Sequence, residues 1–296
     1  MRLLITGWQG QLARSLAEAA TRRPEITALS IGRPALDLCA RPSILRTLAD
    51  NSPDLIVNTA AYTMVDKAES EPEAAFALNR DGAGLLAEAA AVRNIPIIHV
   101  STDYVYDGAK TSPYTETDPT APLNVYGASK LAGEQAVAAA NPRHVILRTA
   151  WVHSPFGQNF VKTMLRLAAD RPRLTVVADQ FGNPTYAPHL ADAILDIARQ
   201  LPGRARGDPL FGLYHATGSG ETTWHGLAEA VFVRSRALGG PAAEVAPIPS
   251  SGYPTPARRP ANSRLDCSHL KQAFGVVLPA WQDGVEAGVA RLLQPI

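Results

Sequence analysis

Arg2-Leu3-Leu4-Ile5-Thr6-Gly7-Trp8-Gln9-Gly10-Gln11-Leu12-Ala13 opens the chain, and the reading of this stretch decides the fold. Arg2 to Ile5 is a short apolar run that predicts a strand, and an alanine-rich helical segment follows the glycines. Strand, glycine turn and helix in this order cradle a dinucleotide pyrophosphate against the free backbone N–H groups of the helix N-terminus. Gly7 permits the tight turn, Gly10 lets the backbone approach the phosphates, and the small Ala13 lets the helix pack close to the sheet. The spacing is looser than the usual dinucleotide fingerprint, and glycine turns also occur in α/β proteins that hold no nucleotide. The position directly after a first strand favours the cofactor.

The next strand candidate, Ile26 to Ser30, does not end in Asp or Glu. An acid there would hold the ribose hydroxyls of NADH, whereas Arg33 just beyond is placed to meet a 2′-phosphate. NADPH is thereby slightly favoured over NADH, a solvated loop cation being the competing reading of Arg33. Asp37 and Leu38 are expected by the adenine end. Asp54 to Asn58 reads as a strand running into Thr59-Ala60-Ala61-Tyr62-Thr63, whose small residues let the backbone approach a cofactor. Glu73 to Arg93 reads as one long helix, Ile97 to Val100 as a buried strand, Gly127 to Ala140 as a helix and Val145 to Leu147 as a strand. This alternation predicts an α/β, Rossmann-type doubly wound parallel sheet, with ligands beyond the strand carboxyl ends.

Tyr126 and Lys130 stand four residues apart at the start of the 127–140 helix, on one face. An ammonium beside a phenol is expected to draw its pKa down toward neutrality, so that it exchanges a proton with a carbonyl or alcohol. Thr102, with Asp103 next to it, follows the Ile97–Val100 strand and falls at its carboxyl end. A tyrosine four residues before a lysine is common on solvated helices; the pair gains meaning from Gly7, Asn58 and Thr102 falling on the same edge of the sheet.

The 296 residues allow a large core and a second lobe. Lys plus Arg number 28 and Asp plus Glu 27, so no nucleic-acid partner is expected. Two cysteines, Cys39 and Cys267, fit a reducing compartment and no disulfide framework. The amino terminus reads as a first strand and not as a secretory signal, and no apolar run approaches the roughly 20 residues of a membrane span; a cytoplasmic enzyme is expected. The seven histidines lack metal-ligand spacing, and no catalytic metal is expected. Residues 1–150 are read as the dinucleotide-binding domain and 151–296 as mainly a smaller, mixed substrate-binding lobe, with about 186–216 returning to the first. Pro241 to Pro260 contains six prolines and reads as a structureless lid or linker. Its Arg258 and Arg259 suggest phosphate contacts.

Gly7 to Gly10, Thr102, Tyr126 and Lys130 together resemble the extended short-chain dehydrogenase/reductases. The stretches Asn58 to Glu69, Ser101 to Tyr106, Pro122 to Gly127, Arg148 to Val152, Asp179 to Gly182, Thr223-Trp224, Tyr253 to Pro260, Asn262 to Leu265 and Leu278 to Trp281 resemble the dTDP-4-dehydrorhamnose reductase family nearly end to end. That resemblance implies reduction of the 4-keto group of dTDP-6-deoxy-L-lyxo-4-hexulose to dTDP-L-rhamnose. It implies a catalytic set of Thr102, Tyr126 and Lys130, and a cofactor side of Gly7, Gly10, Gln11, Leu12, Asp37, Leu38, Ala60, Ala61, Tyr62 and Asn79. Val65, Asp103, Tyr104 and Trp151 are then expected at the sugar, and Arg258 and Arg259 at the nucleotide. Some family members form dimers bridged by magnesium through acidic residues; the matching positions are Ser15 and the neighbourhood of Pro188 and His189, without a carboxylate. A monomer or a differently built homodimer is expected. A 4,6-dehydratase is disfavoured because Asp103 is followed by Tyr104 and not by a second base. A 4-epimerase would not depend on added cofactor, and a non-catalytic dinucleotide-binding subunit would not need the intact catalytic set.

Overall fold

The computed structural model describes residues 1–294. The first half alternates strand and helix: β1 (Arg2–Thr6), α1 (Gln11–Thr21), β2 (Thr27–Ile31), α2 (Arg41–Asn51), β3 (Leu55–Asn58), α3 (Val65–Ala68), α4 (Pro72–Phe76), α5 (Ala83–Val92), β4 (Ile97–Thr102), α6 (Val125–Ala140) and β5 (His144–Thr149). The second half holds β6 (Val152–His153), α7 (Phe160–Ala168), β7 (Arg173–Val177), β8 (Phe181–Gly182), β9 (Thr185–Tyr186), α8 (Ala187–Ala198), β10 (Gly212–His215), β11 (Thr222–Thr223), α9 (Trp224–Ala237), β12 (Glu244–Ile248), α10 (Ser268–Phe274) and α11 (Trp281–Leu293).

Six strands form one sheet in the order β10-β5-β4-β3-β1-β2, every adjacent pair parallel. Its strands are apolar on both faces because helices cover both. One core joins Leu3, Ile5, Val57 and Leu147 to α1 and α8. The other joins Leu4, Ile56, Ile97 and Ile146 to α2, α5 and α6. The topological switch falls between the neighbours β1 and β3 and opens a crevice at the carboxyl edge. A third core, around Leu227, Phe232, Trp281 and Val289, packs α7, α9 and α11 into the smaller mixed lobe. The Rossmann-type sheet with a smaller carboxy-terminal lobe is thus the architecture of the chain.

Two sequence expectations need correction. The stretch Glu73 to Arg93 is not one α-helix: α4 and α5 are joined by a π-helical turn, Ala77–Gly82. The side chain of Asn79 in that turn is drawn to Tyr62 and Ser129, and Gly133 of α6 packs directly on the Asn79 carbonyl, where a Cβ would collide. The prolines of 241–260 do not leave the segment structureless. β12 pairs in parallel with β7 as a two-stranded sheet, where Pro247 is tolerated for want of a further strand needing its N–H.

Candidate active site

A cleft of about 800 Å³ lies along the carboxyl ends of β1, β3, β4 and β5. Gly7 turns the chain out of β1 with φ +82°, a conformation that disfavours any side chain. Gly10 is the N-cap of α1 in extended conformation, and a Cβ there would meet nothing within 4 Å. The first turn of α1 therefore faces the cleft with its backbone donors bare, which is the cradle an anionic pyrophosphate requires. Gln11 has a second task. Its Oε1 accepts from Ser154 Oγ and Asn159 Nδ2, both at 2.9 Å, so it ties the glycine turn to the loop after β6.

Gly7, Gly10, Gln11, Leu12, Arg33, Leu38, Ala60, Ala61, Val65, Thr102, Asp103, Tyr104, Tyr126, Lys130 and Trp151 all line this cleft. Asn79, Asp37 and Tyr62 stand behind its wall. Asn79 clamps the Tyr62 backbone through both its N–H (2.8 Å) and its carbonyl (3.1 Å), and Asp37 Oδ1 accepts from Cys39 N–H at 2.9 Å. The Arg259 guanidinium is paired with Asp66 at 2.8 Å and lies beside Tyr104 of the cleft wall. Arg258 contributes its carbonyl, which accepts from Asn124 Nδ2 at 2.8 Å. Together these contacts fasten the 255–259 segment to α3 and to the start of α6.

Asn124 caps α6, accepting from Gly127 N–H at 2.8 Å, and so aims the helix at the cleft. Gly127 packs against the Tyr104 carbonyl, too close for any Cβ. Tyr126 is half-buried and meets Tyr104 edge-on, ring centroids 5.8 Å apart. The sequence expectation of a lowered phenol pKa is reversed. Burial pushes Tyr126 up to about 12, the Thr102 hydroxyl beside it opposing and the Asp103 charge adding to the rise. The Lys130 ammonium does not offset this because it is turned inward, donating to the Val100 carbonyl at 2.7 Å with His99 Nε2 at 3.5 Å. Burial lowers Lys130 to about 8. Thr102 Oγ1 donates to Asp103 Oδ1 at 3.0 Å and accepts from Tyr104 N–H. Asp103 is 3 % exposed, its Oδ2 has no partner within hydrogen-bond distance, and burial raises it to about 6 against the opposing hydroxyls of Ser263 and Thr102.

At the far end of the cleft Trp151 adopts φ +47°, an uncommon conformation for a bulky residue. Its indole stacks on Trp224 at 3.6 Å and 6°, and Gly182 leaves room for its edge. Trp224 lines the cleft with it. The sequence carries Trp224 as part of the Thr223-Trp224 resemblance, and nothing local reveals its stacking on Trp151, far away in the chain. Trp8 is 51 % exposed at the rim, and its indole N–H reaches the Arg33 carbonyl at 3.4 Å. Among the described residues no group of three His, Cys, Asp or Glu side chains converges on a metal-sized site, and no helix is long and apolar enough to cross a membrane.

A parallel doubly wound sheet, a bare glycine turn and a Thr–Tyr–Lys set on one edge define an extended short-chain dehydrogenase/reductase scaffold. Within that class the chain belongs to the family described as the RmlD substrate binding domain, whose model matches residues 1–294. It is 52 % identical over 293 residues to a dTDP-4-dehydrorhamnose reductase of Sinorhizobium fredii, covering 99 % of this chain and 98 % of the relative. The crystal structure of a dTDP-4-dehydrorhamnose reductase from Clostridium acetobutylicum superposes with TM-score 0.91 at 33 % identity, covering 99 % of this chain and 100 % of that one. The same enzyme from Bacillus anthracis, solved in complex with NADP, gives 0.89 at 33 % identity over 98 % and 99 % of the two chains.

Proposed function

We propose that this chain reduces the 4-keto group of dTDP-4-dehydro-β-L-rhamnose with NAD(P)H, giving dTDP-β-L-rhamnose. The observation that carries this reading is the meeting of Thr102, Tyr126 and Lys130 in one cleft with the bare glycine turn of β1 and α1. The relatives' activity and the NADP of the Bacillus anthracis structure point the same way. A reduced nicotinamide dinucleotide, when bound, supplies the hydride for carbon 4 of the sugar.

The residues fit that cofactor. Gly7, Gly10, Gln11 and Leu12 offer the pyrophosphate cradle, and Ala60 and Ala61 a wall of small residues held through Tyr62 and Asn79. Arg33 and Leu38 line the adenosine end, with Asp37 behind them. Arg33 and the absence of an acid at the end of β2 favour NADPH over NADH, since a guanidinium suits a 2′-phosphate.

A phenol raised to about 12 keeps its proton at neutral pH. Tyr126 is therefore the general acid that protonates the alkoxide forming at carbon 4. Turned from Asp103 to the same oxygen, the Thr102 hydroxyl donates to it and steadies the developing charge. Lys130 anchors the cofactor ribose and returns a proton to Tyr126. Val65, Asp103, Tyr104 and the Trp151–Trp224 stack receive the deoxysugar, its apolar edge against the indoles.

Oxidation of NADPH followed by absorbance, with stoichiometric dTDP-L-rhamnose formed from dTDP-4-dehydro-L-rhamnose, tests the reaction. Tyr126→Phe is expected to lower turnover by about 10²–10⁴-fold while dinucleotide binding persists. Near-normal turnover in that variant would sink the assignment.

A further inference from the structure

His99 is 1 % exposed and Lys130 2 %, and the two meet beneath the cleft floor. The sheet register explains why. Thr6 of β1 stands beside Asn58 of β3, and Asn58 beside His99 of β4, so the three side chains form one row across three strands. The row is hydrogen-bonded. Thr6 Oγ1 already accepts from Ala60 N–H at 3.2 Å, which leaves its own proton for Asn58 Oδ1 at 2.5 Å. Asn58 then turns its amide Nδ2 to His99 Nδ1, 3.0 Å away. An amide donor opposite Nδ1 requires that nitrogen to be the acceptor, and a neutral imidazole in that state carries its proton on Nε2. That Nε2–H faces Lys130 Nζ at 3.5 Å.

A donor facing an ammonium is an unusual partner for a buried lysine. Of the other groups around the pair, the Glu134 charge opposes this effect by raising Lys130, but it is no ion-pair partner. Glu134, on the same helix, is committed to Arg148 of β5 and Ser101 of β4. His144 at the start of β5 lowers His99 as Lys130 does, and Asp103 and Tyr126 line the cleft. Among the described residues, the Val100 carbonyl is the acceptor that Lys130 Nζ reaches, at 2.7 Å.

We infer that His99 is a positioning residue for Lys130: held as the Nε2–H tautomer by the Thr6–Asn58 chain, it weakens the lysine's grip on its proton. The inference rests on Lys130 and Tyr126 being the catalytic pair. A lysine of reduced basicity returns a proton to the Tyr126 phenolate more readily than an ordinary one. Burial, which keeps His99 well below the usual histidine range and Lys130 near 8, acts in the same direction. Because the row starts at Thr6, beside the glycine turn, the strand that holds the cofactor also sets the tautomer that governs the lysine.

The test uses the full chain without cofactor. In ¹⁵N-histidine NMR, His99, assigned by its loss in His99→Phe, is expected neutral near pH 7 with Nε2 protonated and Nδ1 bare. A protonated Nδ1 overturns the inference; should His99→Phe not fold, His99→Gln supplies the assignment. Lys130, followed through its side-chain ¹³C resonances, is expected to titrate higher by about one pH unit in His99→Phe. Asn58→Leu, which frees the tautomer, is expected to move it the same way. An unmoved midpoint in a folded variant overturns the inference as well. In turnover, His99→Phe should shift the alkaline limb of kcat while dinucleotide affinity holds; a purely structural role would lower kcat without moving that limb. Wild-type turnover and the loss in Tyr126→Phe decide the reaction itself, independently of these resonances.

Discussion

Two clusters of buried polar side chains share the elements β4 and α6, and they are completed differently. Behind the sheet, Glu134 accepts from Arg148 Nε and Nη2 and from Ser101 Oγ at 2.5–2.9 Å. Arg148 Nη1 donates to Tyr106 Oη at 2.7 Å, and that hydroxyl meets His215 Nε2 at 2.8 Å. His215 Nδ1 faces the Asp266 carbonyl, so it carries the proton and Nε2 accepts, the tautomer opposite to that of His99. In the cleft, by contrast, Asp103 Oδ2 has no partner, Lys130 has no carboxylate within ion-pair distance, and Thr102 spends its proton on Asp103. The first cluster is saturated and holds strands to helix. The second leaves polar capacity for a ligand, a cost in stability that functional sites commonly carry.

Cutting the saturated cluster should have the largest effect. Arg148→Met strands Glu134 without its cation in a buried site and is expected to cost about 3–5 kcal/mol, measured by urea unfolding. Glu134→Leu combined with Arg148→Met should recover much of it, because neither charge is then left unpaired. A single variant losing under about 1 kcal/mol would show that this network behaves like a surface pair.

The same contrast explains what the sequence reveals. Thr102, Tyr126 and Lys130 are legible because a strand end and a four-residue helical spacing are local patterns. The lysine's true neighbours are not. They depend on the register of β1, β3 and β4, which brings Thr6, Asn58 and His99 into one row from three distant segments. The amino-terminal strands show as apolar runs, whereas β10, with Gly212 and Leu213 only half-buried, has no such run. The resemblance places Asn79 on the cofactor side, but the π-helical turn around it follows from its contacts with Tyr62 and Gly133, which spacing along α4 and α5 does not encode. Arg259 reads as a free cation in a proline-rich linker, and its pairing with Asp66 crosses 193 residues.

Relieving the unsatisfied cluster should stabilise the fold. Asp103 is raised to about 6 by burial, while an unfolded aspartate titrates at about 3.9. Its stabilising contribution is therefore complete below about pH 4 and is lost as pH rises through 6. Asp103→Asn removes that dependence. At pH 8 the variant is expected to exceed wild type by up to about 3 kcal/mol, from two pKa units at 1.36 kcal/mol each, and by nothing at pH 4. Turnover should fall in the same protein. Equal unfolding midpoints for variant and wild type at pH 8 would mean that Asp103 is not strained.

The smallest effect separates pairing from burial. Asp66 and Arg259 are bonded as well as Glu134 and Arg148, but their side chains are 41 % and 23 % exposed. Arg259 holds the Asp66 carboxyl below its usual range through their hydrogen bond. This contribution is present above the unfolded carboxylate pKa and is lost as pH falls through the lower folded value. With water at both groups, Arg259→Gln should cost only about 0–1 kcal/mol at pH 7, less in high salt and nothing near pH 2. Because the pair fastens the 255–259 segment to α3, next to the Val65 wall of the cleft, the variant's clearer mark should be a KM for the sugar nucleotide raised severalfold with kcat little changed. A stability loss as large as that of Arg148→Met would make the number of hydrogen bonds decisive and exposure irrelevant.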